Sequence, residues 1–134
     1  MLGELIGEST GKVTGNRVLP SEGGAPKIEF SLEGTGRLYG VEETDIGTYS
    51  AVVRPDGTLF GGGQSVFMAK DGGMATWTGY GLGRFTASGG VSYRGAGYIL
   101  SASGSLARLN STVAVYEYET DANQNTHARF WEWK

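Results

Sequence analysis

The residues of this chain best equipped for chemistry are aromatic or amide-bearing: Tyr49, Trp77, Tyr80, Tyr93, Tyr98, Asn110, Tyr116 and Trp131, with Gln64 and the arginines Arg84, Arg94 and Arg108. Tyrosine and tryptophan join a large apolar surface to one polar handle. That combination suits a pocket that grips a small, mostly apolar molecule and fixes one or two of its oxygens. The same residue types also furnish barrel cores and subunit interfaces, so the pattern alone leaves both uses open. The ligand-binding candidates are Gln64, Trp77, Tyr80, Arg94, Tyr98, Asn110, Tyr116 and Glu117. Glu117 shares a strand face with Val113 and Val115 where the strand leaves the core, so it is the carboxylate expected to look into a lumen. A second acidic group, Glu42, Glu43 and Asp45, would place a pair at a barrel mouth, where one carboxyl raised in pKa could act as a general acid. The same residues equally suit a solvated strand entry. His127 opens the last strand beside a polar turn, where a solvated histidine is expected. No catalytic residue is assigned.

Several chemistries are removed by composition. With no cysteine and one histidine in 134 residues, the chain offers no disulfide, no thiolate nucleophile and no multi-histidine metal site. No metal and no cofactor are expected. Gly79-x-Gly81-x-Gly83 and Gly34-x-Gly36 lack the spacing and the following helix of a phosphate loop, so nucleotide binding is set aside. A net charge of −3, from 14 acidic and 11 basic residues mixed along the chain, gives no basic footprint for nucleic acid and no polybasic membrane patch. No apolar run approaches the ~20 residues of a membrane span. The opening stretch Met1 to Glu8 carries acids where a secretory signal carries lysine or arginine, so a soluble, cytoplasmic protein is expected.

The elements that must position these side chains read as strands. Glycine reaches 24 residues while proline is only 3, yet hydrophobic residues make up 39%, which excludes collagen and argues against wholesale disorder. Glycines interrupt every candidate helix, at about 1 kcal/mol each relative to alanine. Turn signals recur instead at Pro20 to Gly24, Pro55-Asp56-Gly57, Lys70 to Gly73, Ser88-Gly89-Gly90 and Thr120 to Asn123. Between them lie segments rich in β-branched and aromatic residues, roughly 3–19, 26–39, 41–54, 58–70, 74–86, 90–102, 106–119 and 127–133.

Alternation is cleanest over 27–33, where Ile28, Phe30 and Leu32 oppose Lys27, Glu29, Ser31 and Glu33. Elsewhere both faces are apolar, so either the strands are sandwiched or the outside of a barrel meets another subunit. Glycines at alternate positions, Gly61 and Gly63, then Gly79, Gly81 and Gly83, then Gly95 and Gly97, let a sheet bend and let large residues from across fill the gap. Gly61-Gly62-Gly63 additionally suggests a bulge or a close backbone approach. The expectation is one domain over 1–134, an all-β, eight-stranded antiparallel up-and-down barrel of lipocalin-like topology.

The segment Gly79-Tyr80-Gly81-Leu82-Gly83-Arg84-Phe85, the passage from Gly89-Gly90 into Tyr93-Arg94-Gly95-Ala96, the run Gly104-Ser105-Leu106-Ala107-Arg108-Leu109-Asn110 and the closing aromatic strand resemble the allene oxide cyclase-like barrels, among them uncharacterised small bacterial barrel proteins. The resemblance covers most of residues 58–134. It implies the barrel fold and a homo-oligomer, since plant members of that superfamily are trimers that cyclise an oxidised fatty acid inside the barrel. It carries over no catalytic set: the cyclases' carboxylate, asparagine and tyrosines have no one-to-one match here, and cysteine is absent.

Three functions stay open. The first is a barrel that binds a small apolar or amphipathic molecule in its lumen, which calls for a hollow of at least ~300 Å³ open at one end. The second is a cyclase or isomerase that folds a flexible hydrophobic substrate and stabilises developing charge. The third is a filled structural or oligomerisation barrel without ligand.

Overall fold

A computed structural model describes residues 2–134. Eight antiparallel strands follow one another in sequence and close into a barrel: β1 (Leu2–Glu22), β2 (Ala25–Leu38), β3 (Val41–Val53), β4 (Leu59–Ala69), β5 (Met74–Phe85), β6 (Val91–Leu100), β7 (Thr112–Thr120) and β8 (Asn125–Trp133). Each strand pairs with its sequence neighbours, and β8 returns to β1 with Glu8 opposite Arg129 and Ser9 opposite Ala128. Closure satisfies the edges that such long strands would otherwise expose. The expected turns hold their places. Asp56 accepts hydrogen bonds from both the backbone N–H and the hydroxyl of Thr58, and Gly57, Gly72 and Gly89 adopt positive φ.

Strand β1 is the longest because its pairings with its two neighbours are offset, overlapping only over Gly7 to Lys12. Its pairing with β8 ends at Lys12 opposite Asn125, whereas its pairing with β2 runs on to Glu22 opposite Ala25. Beyond Lys12, β1 therefore runs past the start of β8 and its strand pairing is with β2 alone. Register shifts lie between Val13 and Gly15 and between Leu5 and Gly7, and such bulges let a long strand bend around a closed wall.

The alternating glycines all face inward. Gly61 lies opposite Gly81, which lies opposite Gly95, and Gly63, Gly79 and Gly97 form a parallel row. A β-carbon on Gly83 would stand 2.6 Å from the Tyr93 ring, and one on Gly79 would stand 2.6 Å from the indole of Trp77. The bare wall of β4–β6 is thus what lets these rings lie across the lumen. Over Gly61-Gly62-Gly63 the pairing is regular on both sides, so the expected bulge is absent; what the three glycines provide is close approach, with the Tyr93 ring inside and Tyr80 outside.

Residues 106–109 correct the strand expected over 106–119. A short 3-10 helix, Gly104–Leu109, crosses one end of the barrel, and β7 begins only at Thr112. Leu106 and Leu109, three apart and so on one side of a three-residue turn, are fully buried against Ile6, Leu38, Ile99 and Ala75. This cluster plugs one end. Arg108 covers the plug from outside, its guanidinium 4.1 Å from the centre of the Tyr39 ring.

Candidate functional site

Side chains two apart on a strand share a face, and the glycine rows fix which face is inside. On β3 the inward set is Glu43, Asp45, Gly47, Tyr49, Ala51 and Val53; on β6 and β7 it includes Tyr93, Tyr116 and Tyr118. Above the plug these residues enclose a cavity of about 90 Å³, walled by Phe67, Trp77, Tyr93, Tyr116, Tyr118 and Phe130, with Ser9, Asp45 and Thr126 supplying polar groups. The rings interlock. Trp77 meets Phe130 and Tyr116 edge to face, with centroids 5.0 and 5.6 Å apart, while Tyr49 meets Tyr93 and Tyr118 at 5.9 and 5.4 Å. Beyond Tyr49 and Tyr93, which line both spaces, the unplugged end widens into a mouth of about 200 Å³ bordered by Ile28, Phe30, Val53, Leu59, Phe85 and Val91. The inner cavity is thus far smaller than the ~300 Å³ hollow expected of a preformed pocket. Aromatic rings fill most of the barrel.

Two buried acids, Asp45 on the cavity wall and Glu43 two residues before it on β3, are unusual for a protein interior. Asp45 and Glu43 are both only 5% exposed, and the hydroxyl of Ser9 donates to Asp45 Oδ2 at 2.7 Å. Gly34 makes room for the pair, since a β-carbon there would come within 2.7 Å of Ser9 Oγ and 2.9 Å of Asp45 Oδ1. Burial, followed by the hydrogen bond and charge of Asp45, pushes the Glu43 carboxyl up to about 9. Glu43 is therefore a neutral acid at pH 7. Among the described residues, no lysine, arginine or histidine forms an ion pair with either group. Glu43 Oε2 is buried without a hydrogen-bond partner among the described residues, and the buried Tyr118 hydroxyl is set against that of Tyr49. Burial also raises the cavity phenols: Tyr49 and Tyr93 lie well above the ordinary range and Tyr116 and Tyr118 reach about 12, so all four are neutral. Among the described residues, no three carboxylate or imidazole groups converge as a metal site.

Of the eight candidate ligand-binding residues, Gln64, Trp77 and Tyr116 line the cavity, Gln64 from an exposed position on β4. The other five stand elsewhere, which corrects their expected lumenal placement. Tyr80, Arg94 and Tyr98 occupy the outward parity of β5 and β6, and all are exposed. Glu117 also faces out, where it pairs with Arg94 and Arg129 and is held below the usual carboxylate range, chiefly by Arg94. Asn110 follows the 3-10 helix, and its side-chain oxygen caps the backbone N–H of Ser101. The acidic group divides: Glu42 turns outward to Lys70 and Arg37, while Glu43 and Asp45 turn inward, deep in the barrel near the plug rather than at the mouth. His127 sits on the outer face beside Glu8. Tyr49 and Tyr93, already named in the aromatic group, also line the cavity, and a close reading of strand parity adds Ser9 and Tyr118.

Comparison with known proteins supports the architecture. No family model matches the chain, and no curated protein matches it. Solved structures do. A conserved protein of unknown function from Rhodopseudomonas palustris superimposes with a TM-score of 0.79 at 11% identity, over 98% of this chain and 97% of that one. A protein with unknown function from Clostridium acetobutylicum gives 0.80 at 13%, over 96% of each chain. A beta-barrel like protein from Acinetobacter baumannii gives 0.80 at 12%, over 100% of this chain and 96% of that one. At these identities the likeness is one of fold, and it extends over the whole barrel.

Proposed function

We propose that this barrel binds a small amphipathic molecule, with the apolar body in the mouth among Phe30, Val53, Leu59 and Val91 and the polar end beside Ser9 and Asp45. The observation that carries the reading is the cavity itself, an aromatic-walled space that holds the buried polar groups of Ser9 and Asp45 and continues past Tyr49 and Tyr93 into the apolar mouth. Because the inner cavity holds only a few heavy atoms, a longer ligand lies through the gap between Tyr49 and Tyr93 into the mouth. The resemblance to the allene oxide cyclase-like barrels supports the same placement, since members of that superfamily act on a lipid within the lumen.

The test uses Trp77 as reporter. With Trp131 and Trp133 on the outer face replaced by phenylalanine, Trp77 is the only remaining indole, and its emission is followed against octanol, octanoate and octylammonium. A saturable change with at least one of them is the expected result, and flat emission with all three contradicts the reading.

A second reading has one observation in its favour. Glu43, held neutral at pH 7 by burial, stands next to Asp45 of the cavity wall, a proton donor of the kind a cyclase or isomerase uses. Under that reading Glu43→Gln abolishes turnover of a flexible hydrophobic substrate while leaving its binding intact.

The outer wall supports self-association into a homo-oligomer. Phe60, Tyr80, Leu82 and Tyr98 are exposed side by side across β4–β6, with the Phe60 and Tyr80 rings stacked at 6.2 Å. Contiguous apolar surface of this kind marks interaction sites rather than scattered exposure.

A further inference from the structure

We infer that Tyr49 is a gate: its ring closes the inner cavity off from the mouth and admits a molecule by swinging outward into the mouth. This rests on the ligand-binding reading above and adds how that site is entered. Three features of the lumen converge on it.

The first is closure. Tyr49 of β3, Tyr93 of β6 and Tyr118 of β7 reach in from different parts of the wall and meet pairwise, with ring centroids 5.9, 5.4 and 6.2 Å apart. Rings at such separations are in van der Waals contact, so no alkyl chain passes between them as they stand. All three border the inner cavity, and Tyr49 and Tyr93 also border the mouth. They therefore form a septum across the lumen, between the two spaces that an amphipathic ligand would span.

The second is that one ring of the three has room to move. Tyr93 is 3% exposed and lies on the bare backbone of β4 and β5, where a β-carbon on Gly61 would stand 2.8 Å and one on Gly83 2.6 Å from its ring. Tyr118 is 9% exposed and borders the inner cavity alone. Tyr49 is only partly buried and faces the mouth, where about 200 Å³ of space adjoins it. Its hydroxyl is set against that of Tyr118, a contact that holds the closed position.

The third is what stands behind Tyr49. Its ring is stacked on that of Phe30, its register partner on β2, with centroids 5.1 Å apart and planes 26° apart. Phe30 in turn lies opposite Asn16, in the stretch beyond Lys12 where β1 pairs with β2 alone. The stacked pair thus backs onto a part of the wall edged by a strand with one free side, and weakly supported elements are those that open locally. Because the septum must part before anything reaches the inner cavity, gate opening and not encounter sets the pace of entry, and the observed rate of binding levels off as ligand concentration rises.

The experiment reads access to Trp77, which is buried on the inner side of the septum. In the protein with Trp131 and Trp133 replaced by phenylalanine, acrylamide, which quenches on contact, measures that access with no ligand present. The expected result is weak quenching in the parent and a quenching constant about fivefold higher in Tyr49→Leu, which loses the edge-to-face contacts with Tyr93 and Tyr118. Tyr49→Phe, which keeps the ring and loses the hydroxyl, is expected to fall between them. Phe67→Leu, which loosens the same cavity away from the septum, is expected to match the parent. All variants are first checked by melting curve; should Tyr49→Leu fail to fold, Tyr49→Phe decides alone. Quenching equal to the parent's in the folded Tyr49 variants overturns the inference, and so does an equal rise in Phe67→Leu. Stopped-flow mixing with octanol separates the two readings. A binding rate that climbs with octanol without levelling off overturns the gate and leaves lumenal binding intact, whereas no octanol binding beside the expected quenching pattern supports the gate and counts against the ligand-binding reading alone.

Discussion

The buried acid pair gives the sharpest test of how this barrel is built, through the substitution Glu43→Gln. In the folded protein Glu43 keeps its proton to about pH 9, whereas in the unfolded chain it ionises near 4.5. Between those values unfolding releases a proton, so stability falls as pH rises. A carboxyl raised in this way contributes fully below about pH 4.5 and loses its contribution as pH climbs towards 9. At 1.36 kcal/mol per pH unit, the loss between pH 4.5 and pH 7 is about 3 kcal/mol. Glutamine retains a donor for Asp45 and has no proton to lose. Glu43→Gln is therefore expected to match the parent near pH 4.5 and to be more stable by as much as about 3 kcal/mol at pH 7. For 134 residues that is a rise of about 10 °C in melting temperature. Paired thermal melts from pH 4.5 to 9 measure it, and taking the difference between the two proteins cancels the other titrating groups they share. A difference that stays constant over this range would refute the reasoning, because it would mean that Glu43 ionises alike in both states.

Further predictions follow from the wall and the outer face. Gly83→Ala puts a β-carbon 2.6 Å from the Tyr93 ring, so it is expected to lower stability by about 1–3 kcal/mol, read from the urea midpoint. Tyr80→Glu adds charge to the exposed apolar face of β5; the monomer should lose less than about 1 kcal/mol, while the native mass should fall to that of a single chain. Glu117→Gln breaks the pairs with Arg94 and Arg129 on the outer surface, and is expected to cost less than about 1 kcal/mol, to matter less in high salt and to leave lumenal binding unchanged.

The fold was legible because its signals are local. Asp-Gly and Gly-Gly turns need positive φ, and long β-branched and aromatic stretches between them leave little choice but strands. The 3-10 helix escaped because its six residues are too few for a helical period, although the spacing of Leu106 and Leu109 already carried its one buried side. The site was harder to read because both faces of β5 and β6 carry aromatic residues, so hydrophobicity does not say which face is inside. Glycine parity does. Trp77 shares parity with Gly79, Gly81 and Gly83, and Tyr93 shares it with Gly95 and Gly97, whereas Tyr80, Arg94 and Tyr98 fall on the opposite parity. A closed barrel puts its bare positions where rings from other strands must lie, so that signal was present in the sequence. Glu43 and Asp45 were visible as a cluster, but ordinary hydropathy assigns acids to solvent, and only the closure of the sheet shows two of them facing inward.

The central claim is that the lumen holds a small molecule, and native mass spectrometry of the protein purified directly from its host tests it most directly. The account predicts each 14.1 kDa chain carrying a few hundred daltons of additional, dissociable mass that is released on collisional activation or denaturation. Bare chain mass under conditions gentle enough to preserve subunit association would contradict it.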